Sequence, residues 1–394
     1  MTNKIKQSTL LILLASFSLG FVRCKKDSSE VPAGTDSTSL AAHHSGAVNL
    51  ATTTTTTSTT GAYDITKSLP TGYVKDGSVD YTAYLQKAIN ANSNIVFPAF
   101  PIMVDDAGLI VGSNKTITFL TGSKLVLKPS ANANYNIINV LLANNVTLNN
   151  PVIVGDRYKH LGTTGNWGQG ISINGSTNVT INNPNVSNCW GDGMFIAQKS
   201  GITAQNIKIV NAYLTHNRRN GISLTGGINV DLESPYCAYS DGVAPYCGID
   251  IEPNVSTDQL QNIVLNNPTT EHNVGPGIST GLKRMYSSTN KTIGITIANH
   301  SDLGSAVAFH STVSSTYQIG SATVSGNINL VNPSWKRNTN TAITTDLLVN
   351  TIKLNISKPT VQDINGVTLT QAQIISLFTY KTHINREANY SLTF

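Results

Sequence analysis

Short stretches of alternating apolar and polar residues recur along most of the chain, and each stretch ends in two polar residues and usually a proline. Eight stretches begin at Val146, Val179, Ile207, Val230, Ile263, Ile295, Ile328 and Leu354. The residue that closes each stretch recurs after 33, 28, 23, 33, 32, 33 and 26 residues. Alternation with a period of two places Val, Ile and Leu on one face of a β-strand and Asn, Thr and Ser on the other. The pattern therefore predicts a repeating β-structure.

A second repeat, a glycine followed by an alternating apolar strand, has spacings of 23, 28, 27 and 29 residues. Its glycines are Gly170, Gly193, Gly221, Gly248 and Gly277. One coil of short strands cannot bury its own apolar face, so coils must stack, with parallel strands paired between them. A β-propeller needs repeats of about 40–45 residues, and the β-branched alternation excludes leucine-rich and helical repeats. The predicted fold is all-β, a single-stranded right-handed parallel β-helix over residues 62–394.

The ends of such a stack should be capped, and helical patterns stand near both ends. Apolar residues between Asp80 and Asn90 have helical spacing, which predicts a helix covering the N-terminal coil. The first coil is then expected to begin at Ile95. Near the C-terminus, Thr370 is placed to N-cap a short helix that runs through Phe378.

Residues 1–24 have the layout of an export signal. Lys4 and Lys6 form a short positive region, and Leu10 to Leu19 form an apolar run too short to span a bilayer comfortably. No later stretch has about 18 uninterrupted apolar residues, so no transmembrane helix is expected. We therefore expect an exported protein.

Cys24 lies where bacterial lipoproteins are acylated and cut, and Lys25 to Asp27 resembles the start of outer-membrane lipoproteins. Because Arg23 replaces the usual small residue, two interpretations stay open. The protein is either an outer-membrane lipoprotein, attached to the membrane only by a lipid, or a periplasmic or secreted protein. Residues 25–61 are rich in Ser, Thr and Ala and cannot bury apolar area, which predicts a disordered tether.

Charged residues are only 12% of the 394, and the formal net charge is +5. A value this small indicates no nucleic-acid partner. Three cysteines follow Cys24, an odd number that argues against a disulfide framework. Either Cys237 and Cys247 form a disulfide, or both are buried free thiols together with Cys189. A monomer and a homotrimer are both compatible with the sequence.

The chain from about Tyr63 onward resembles the pectate-lyase-like superfamily of parallel β-helices. Beyond the repeat, the resemblance depends on Gly155-Asp156-Arg157 with His160, Trp190 to Gly193, His216 to Gly221 and Gly248 to Asn254. The superfamily contains polysaccharide lyases, glycoside hydrolases, uronan epimerases and phage tailspikes. The resemblance implies an enzyme that cleaves a polysaccharide in a groove along the helix, without naming the sugar.

The unusual side chains gather between the proline-like turn and the next glycine strand. Because stacked coils lie about 4.8 Å apart, equivalent positions form a column. This column brings acids, bases and aromatic rings within reach of one another, which favours catalysis. It contains Asp156, Arg157, His160, Trp167, Trp190, Asp192, His216, Arg218, Arg219, Asp241 and His272.

One reaction that fits the column is β-elimination of an acidic glycan. Such a lyase needs a base that abstracts the C5 proton of a uronate and a positive group or metal that neutralises its carboxylate. His216 and His160 are the candidate bases, and Arg218 and Arg219 are the candidate cations. We favour this reaction because His and Arg crowd the predicted groove.

Hydrolysis is the alternative, and it needs two carboxylates, one of them protonated. The candidates are Asp156, Asp192, Asp241, Asp250 and Glu252. Substrate-binding roles are predicted for two rings that stack on sugars and for three polar side chains, namely Trp167, Trp190, Arg157, Asp241 and His272. Asp250 and Glu252 alternate on one strand and face the same side, so they are also candidate ligands of Ca²⁺, the one cofactor considered.

Structural roles are open for several of these residues. Arg218 and Arg219 beside Asp192 are typical of structural ion pairs, and Trp335 to Arg337 is interpreted as surface.

A non-catalytic glycan-binding or adhesive β-helix is the second class of function. An enzyme should bring His216, Arg218, Asp192 and Glu252 together in one concave cleft. An adhesin should spread them along a flat face.

Overall fold

The computed structural model describes residues 61–285, 289–313, 323–347, 351–381 and 390–394. In these residues the strands form three sheets of 12, 10 and 9 strands, in which every strand pair is parallel. The chain passes from the first sheet to the second and the third before it returns to the first one coil further on. This confirms the predicted right-handed parallel β-helix. The predicted export signal and all but the last residue of the tether lie outside the described residues.

The first sheet consists of Tyr63–Asp64, Asn94–Phe97, Lys115–Phe119, Asn144–Asn149, Thr177–Asn182, Gln205–Val210, Gly227–Glu233, Leu260–Asn266, Lys291–Ala298, Val324–Val331, Ile352–Ser357 and Tyr390–Thr393. The second consists of Pro101–Val104, Lys124–Leu127, Val152–Val154, Asn185–Ser187, Tyr213–Thr215, Tyr236–Ala238, Thr269–Glu271, Ser301–Leu303, Ser334–Lys336 and Thr360–Val361. The third consists of Leu109–Val111, Asn134–Leu141, Trp167–Asn174, Met194–Ala197, Ile222–Leu224, Ile249–Ile251, Pro276–Gly281, Val307–Val313 and Thr341–Leu347.

Both sequence repeats are confirmed as strand register. The eight predicted starting residues, from Val146 to Leu354, pair in order along the first sheet. The apolar residues that follow the repeated glycines, from Ile171 to Ile278, pair in order along the third sheet. These residues point inward and are almost completely buried. The core is therefore a set of apolar columns that run along the helix axis.

Asparagine ladders fix the start of the first-sheet strands. Asn145, Asn178 and Asn206 have φ values of 59°, 57° and 54°, a left-handed conformation that asparagine tolerates better than most residues. The Nδ2 of Asn178 donates to Oδ1 of Asn145 at 3.1 Å, and the Nδ2 of Asn206 donates to Oδ1 of Asn178 at 2.9 Å. The ladder continues through Asn229 and Asn262. Side-chain hydrogen bonds therefore connect successive coils in addition to the backbone hydrogen bonds of the sheet.

Two substitutions at Asn178 should separate the ladder from the backbone conformation. Asn178→Gly permits the positive φ and removes only the side-chain hydrogen bonds, so we expect a loss of about 0.5–1.5 kcal/mol in the free energy of unfolding. Asn178→Ala should lose about 1–2 kcal/mol more, because a Cβ disfavours the left-handed region. Urea denaturation of the two variants measures both effects. Equal stability of the two variants would contradict the expected backbone strain.

Both predicted helices are present. Helix α1 spans Thr82–Ala91 and packs Leu85 and Ile89 against the first coil. Helix α2 spans Gln371–Lys381. The Oε1 of Gln373 accepts the N–H of Thr370 at 2.8 Å, and the Oγ1 of Thr370 accepts the N–H of Gln373 at 3.4 Å, a capping box. Neither helix of the described residues has the length and apolar composition needed to cross a membrane.

Trp335 is fully buried, so its interpretation as a surface residue was wrong. It is the middle residue of Ser334–Lys336, and in these three-residue strands the middle side chain points inward. Its Nε1 donates to Nδ1 of His300 at 3.0 Å. Burial lowers the pKa of His300 to about 3, so the imidazole accepts this hydrogen bond in its neutral form.

Cys189, Cys237 and Cys247 are buried free thiols. This confirms the second alternative for the cysteines. Burial raises the pKa of each thiol above its usual range, so the three side chains act as small apolar groups of the core.

Candidate active site

The predicted column divides among three places in the fold. One part lies on the outer face of the third sheet, a second part is buried under the loop 155–166, and a third part lies along the outer edge of the second sheet. The outer face of the third sheet is concave between Asn134 and Asn254, and we call it the groove. Asp250, Glu252, Trp167 and Phe195 line one part of it.

A buried ion pair supports the middle of the groove. The Nη1 of Arg219 lies 3.0 Å from Oδ2 and 3.2 Å from Oδ1 of Asp192, and it donates to Oγ of Ser223 at 3.2 Å. The backbone N–H of Asn220 donates to Oδ1 of Asp192 at 3.1 Å. Burial raises the pKa of the Asp192 carboxyl, and Arg219 counteracts part of this effect. Arg219 therefore serves first as the partner of a fully buried carboxylate.

Asp250 lies beside this pair, on the adjacent coil. Its side chain is 3% exposed, and its Oδ2 lies 3.9 Å from Nη2 of Arg219. Burial, followed by the negative charges of Glu252 and Asp192, raises the pKa of Asp250 to about 7. A carboxyl with this pKa still holds its proton in a large fraction of molecules at neutral pH.

Glu252 is exposed and stands two residues after Asp250 on the same face. Their Cα atoms are separated by about 6.6 Å, twice the rise of a β-strand. Both side chains line a narrow pocket of about 50 Å³ that Trp167 and Phe195 also border. A proton-carrying carboxyl and an exposed carboxylate thus face the same small space, an arrangement that suits acid–base chemistry.

The groove continues toward the N-terminus over the preceding coils. This second part has a volume of about 290 Å³ and includes Trp167, whose side chain is 53% exposed. Phe195, Asn139 and Asn174 line it with Trp167. The Nδ2 of Asn174 donates to Oδ1 of Asn139 at 2.8 Å.

Asp156 and His160 belong to the loop 155–166, and their side chains point into the interior, outside the groove. The Oη of Tyr135 donates to Oδ1 of Asp156 at 2.5 Å, and Nδ1 of His160 lies 2.8 Å from Oδ2. Both side chains of the Asp156–His160 pair have no exposed surface. They tie the loop to the third sheet.

Trp190 and Arg218 complete this support. The ring of Trp190 stacks on His160 with centroids 3.9 Å apart, and the guanidinium of Arg218 lies 3.7 Å from the centre of the Trp190 ring. The Nη1 of Arg218 donates to the carbonyl oxygen of Gly165 at 2.8 Å. These residues hold the segment that leads into Trp167.

His216 and His272 lie on the outer edge of the second sheet, where their rings stack on Tyr239 at 4.9 Å and 5.8 Å. Burial lowers the pKa of His216. Arg157 pairs with Asp241 there and donates through Nη1 to the carbonyl oxygen of His216 at 2.8 Å. This edge is an array of stacked rings and paired charges, separate from Asp192 and Glu252.

Of the four side chains proposed to distinguish an enzyme from an adhesin, Asp192 and Glu252 meet around Arg219, whereas His216 and Arg218 lie elsewhere. Sequence reasoning missed Phe195, Ser223, Asn139 and Asn174. A signal was present for Phe195 and Ser223. Each is the second residue after a repeated glycine, and alternation makes that position outward, as it does for Asp250.

The Ca²⁺ site expected at Asp250 and Glu252 stays a prediction. Calcium takes about 6–8 oxygen ligands, whereas Asp250 and Glu252 supply two carboxylates with the Arg219 guanidinium beside them. In the part of the chain that the structure describes, no group of three or more His, Cys, Asp or Glu side chains is arranged to hold a metal ion.

No protein-family model matches the chain. The uncharacterized protein YclG of Bacillus subtilis strain 168 is 28% identical over 216 residues, which are 46% of this chain and 36% of that protein. The SPbeta prophage-derived uncharacterized protein YorA of the same organism is 30% identical over 165 residues, 37% of this chain and 28% of that protein. The chain thus spans about a third of the length of these relatives.

Two solved structures share the architecture. The A-module of mannuronan C-5 epimerase AlgE4 from Azotobacter vinelandii has a TM-score of 0.55 at 15% identity, over 84% of this chain and 94% of that chain. The pre-mature gene product 12 of bacteriophage phi29 has a TM-score of 0.54 at 14% identity, over 76% of this chain and 45% of that chain. Likeness at this identity concerns the fold alone, and that fold is the parallel β-helix.

Proposed function

We propose that the chain is a polysaccharide hydrolase that cleaves glycosidic bonds in the groove, with Asp250 as general acid and Glu252 as the second carboxylate. The observation that carries this proposal is the contrast between the two side chains. One is a buried carboxyl whose pKa is raised to about 7, and the other is exposed two residues away on the same face. Hydrolysis of a glycosidic bond needs this division of roles.

In the proposed reaction Asp250 donates its proton to the oxygen of the leaving sugar. Glu252 either attacks the anomeric carbon or takes a proton from the attacking water, the two alternatives used by retaining and inverting enzymes. Arg219 lies 3.9 Å from Asp250 and stabilises the carboxylate that remains after proton transfer. Trp167 and Phe195 border the same pocket and provide apolar surface for the sugar rings.

The geometry favours hydrolysis over the β-elimination predicted from the sequence. Elimination needs a base and a free cation at the uronate, but His216 lies on another edge and Arg219 is paired with Asp192. The carboxyl groups of Asp192, Asp250 and Glu252 surround the single guanidinium of Arg219, and even with Asp250 protonated two negative charges face one positive charge. This excess of negative charge disfavours an acidic polymer at the cleavage point.

We propose a polysaccharide as the substrate class and the cell exterior as the site of action. The name of the AlgE4 epimerase gives mannuronan, a polysaccharide, as the polymer on which that protein acts, and the groove of this chain is open at its side as a polymer requires. The support for export is the N-terminal sequence pattern, in which Lys4 and Lys6 precede the apolar run Leu10 to Leu19.

Product chemistry tests the proposal. The full-length chain is incubated with neutral and uronate-containing polysaccharides while new reducing ends and absorbance near 235 nm are followed. We expect reducing ends without absorbance. Absorbance would show unsaturated uronates and establish a lyase. The absence of both signals would contradict an enzyme and favour a non-catalytic glycan-binding protein.

The pH profile of the same reaction tests the role of Asp250. A general acid acts in its protonated form, so we expect kcat to fall as the pH rises through about 7, the pKa of Asp250. A kcat that increases through this range would contradict the assignment.

A further inference from the structure

We propose that the part of the groove before the carboxylate pair binds a neutral sugar chain, with Trp167 as the stacking platform and Asn139 and Asn174 as the pair that recognises hydroxyl groups. The proposal depends on the proposed function only for the identity of the groove as a substrate site. Binding can be measured without cleavage, so the two proposals can fail separately.

Trp167 is an exposed aromatic ring inside a concave surface. Its side chain is 53% exposed, whereas Trp190 and Trp335 are 8% and 0% exposed. No other aromatic ring of the described residues stacks on it, in contrast to Tyr213 and Tyr236, whose rings cover each other at a centroid distance of 5.0 Å. An uncovered indole face presents the apolar surface on which the C–H face of a sugar ring packs.

Each of the two asparagines keeps one polar side-chain group free. The bond from Nδ2 of Asn174 to Oδ1 of Asn139 at 2.8 Å uses one group of each amide. The side-chain amino group of Asn139 and Oδ1 of Asn174 make no hydrogen bond to other described residues. Sugar hydroxyls both donate and accept, so hydroxyls of a bound sugar chain can accept from the one group and donate to the other.

The charge of this part of the groove favours a neutral ligand. Lys199 is the single charged side chain among the residues that line it, and the others are Asn134, Asn136, Asn139, Leu141, Trp167, Gln169, Asn174 and Phe195. A polymer with a carboxylate on each sugar needs several cations along its path. The groove offers amides and rings instead, and its other end carries Asp250 and Glu252.

Arg218 is a positioning residue for Trp167. Its guanidinium lies over Trp190 and donates to the carbonyl oxygen of Gly165, two residues before Trp167. At the next residue, a Cβ on Gly168 would meet the ring of Tyr135 at 2.4 Å. The backbone of Trp167 is therefore held from both sides.

Binding is tested with the full-length Asp250→Asn variant, in which cleavage is suppressed, on a glycan array of neutral and uronate-containing oligosaccharides. We expect neutral glycans to bind and to shift the fluorescence of Trp167, the exposed tryptophan. Trp167→Ala in the same background should weaken binding at least tenfold. The matched control is Tyr213→Ala, which removes an exposed ring of the second sheet and should leave binding unchanged.

Three results would overturn the subsite. They are binding of uronate-containing glycans alone, binding of no glycan, and equal affinity of the Trp167→Ala and Tyr213→Ala variants. If Trp167-dependent binding occurs but no polysaccharide is hydrolysed, the proposed subsite is supported and the proposed hydrolase activity is contradicted. If hydrolysis depends on Asp250 while Trp167→Ala changes neither binding nor KM, the proposed hydrolase activity is supported and the proposed subsite is contradicted.

Arg218→Met tests the positioning role separately. The variant keeps apolar contact with Trp190 and loses the bond to Gly165, so we expect KM to rise about tenfold while kcat is unchanged. Arg218→Lys should restore part of KM, because its ammonium can still donate to the carbonyl oxygen of Gly165. A fall in kcat at constant KM would contradict this role.

Discussion

Replacing Asp250 by Asn should lower kcat for polysaccharide hydrolysis by about 10²–10⁴-fold, because the amide cannot donate the proton that the leaving sugar needs. Glu252→Gln should lower it by a similar factor, since the amide neither attacks the anomeric carbon nor activates water. Both substitutions keep the size of the side chain. The measurement is the initial rate of reducing-end formation on the polysaccharide that the full-length chain cleaves fastest.

Two variants of matched chemistry serve as controls for this prediction. Asp302→Asn changes another buried carboxyl, which accepts hydrogen bonds from Thr270 and Asn338 in the interior. Glu233→Gln changes another carboxylate, on the first sheet. Both controls should retain kcat. Full activity of Asp250→Asn, or an equal loss of kcat in Asp302→Asn, would contradict the role of Asp250 as general acid.

Arg219→Met should produce the largest loss of stability among single substitutions in the groove. Asp192 has no exposed surface, and removing its partner leaves a buried charge without compensation, which costs about 3–5 kcal/mol in the free energy of unfolding. The loss should be smaller at low pH, where Asp192 takes up a proton and no longer needs the guanidinium. Urea denaturation at several pH values measures it.

The double variant Asp192→Asn with Arg219→Met is the matched control for this result. It removes both charges, so most of the lost stability should return. If the double variant is as unstable as Arg219→Met alone, packing of the arginine side chain would explain the loss, and the ion pair would not.

The architecture could be predicted from the sequence because the same pattern constrains it in every coil. Alternation decides which side chains point inward, and a change of one residue in the register would expose every Val and Ile of a strand. Val146 and Leu354 stand in the same column, as the spacing predicted. The same register also places Trp335 inward, as the second residue after Asn332-Pro333, a position that is inward in each preceding coil.

The candidate site could be predicted only in part. Asp250 and Glu252 were assigned to one face because residues two apart in an extended segment point to the same side, and Trp167 was identified as an unusual side chain ahead of a repeated glycine strand. Asp156 and His160 lie in the loop 155–166, and a loop has no period from which burial can be inferred. Their network with Tyr135 depends on contacts between coils that spacing along the chain does not give.

The corner between the first and second sheets has a consequence for how proteins of this architecture diverge. Two residues form that corner in every described coil from 150–151 to 358–359, whereas the connection from the second to the third sheet ranges from 12 residues after Val154 to three after Leu303. At this corner Asn150, Asn183 and Asn211 have positive φ values and their side chains hydrogen-bond in a second ladder. An insertion there would displace these residues and break the ladder. Insertions and deletions can therefore accumulate beside the groove, so lineages can acquire new ligand preferences while the coils beneath keep their register.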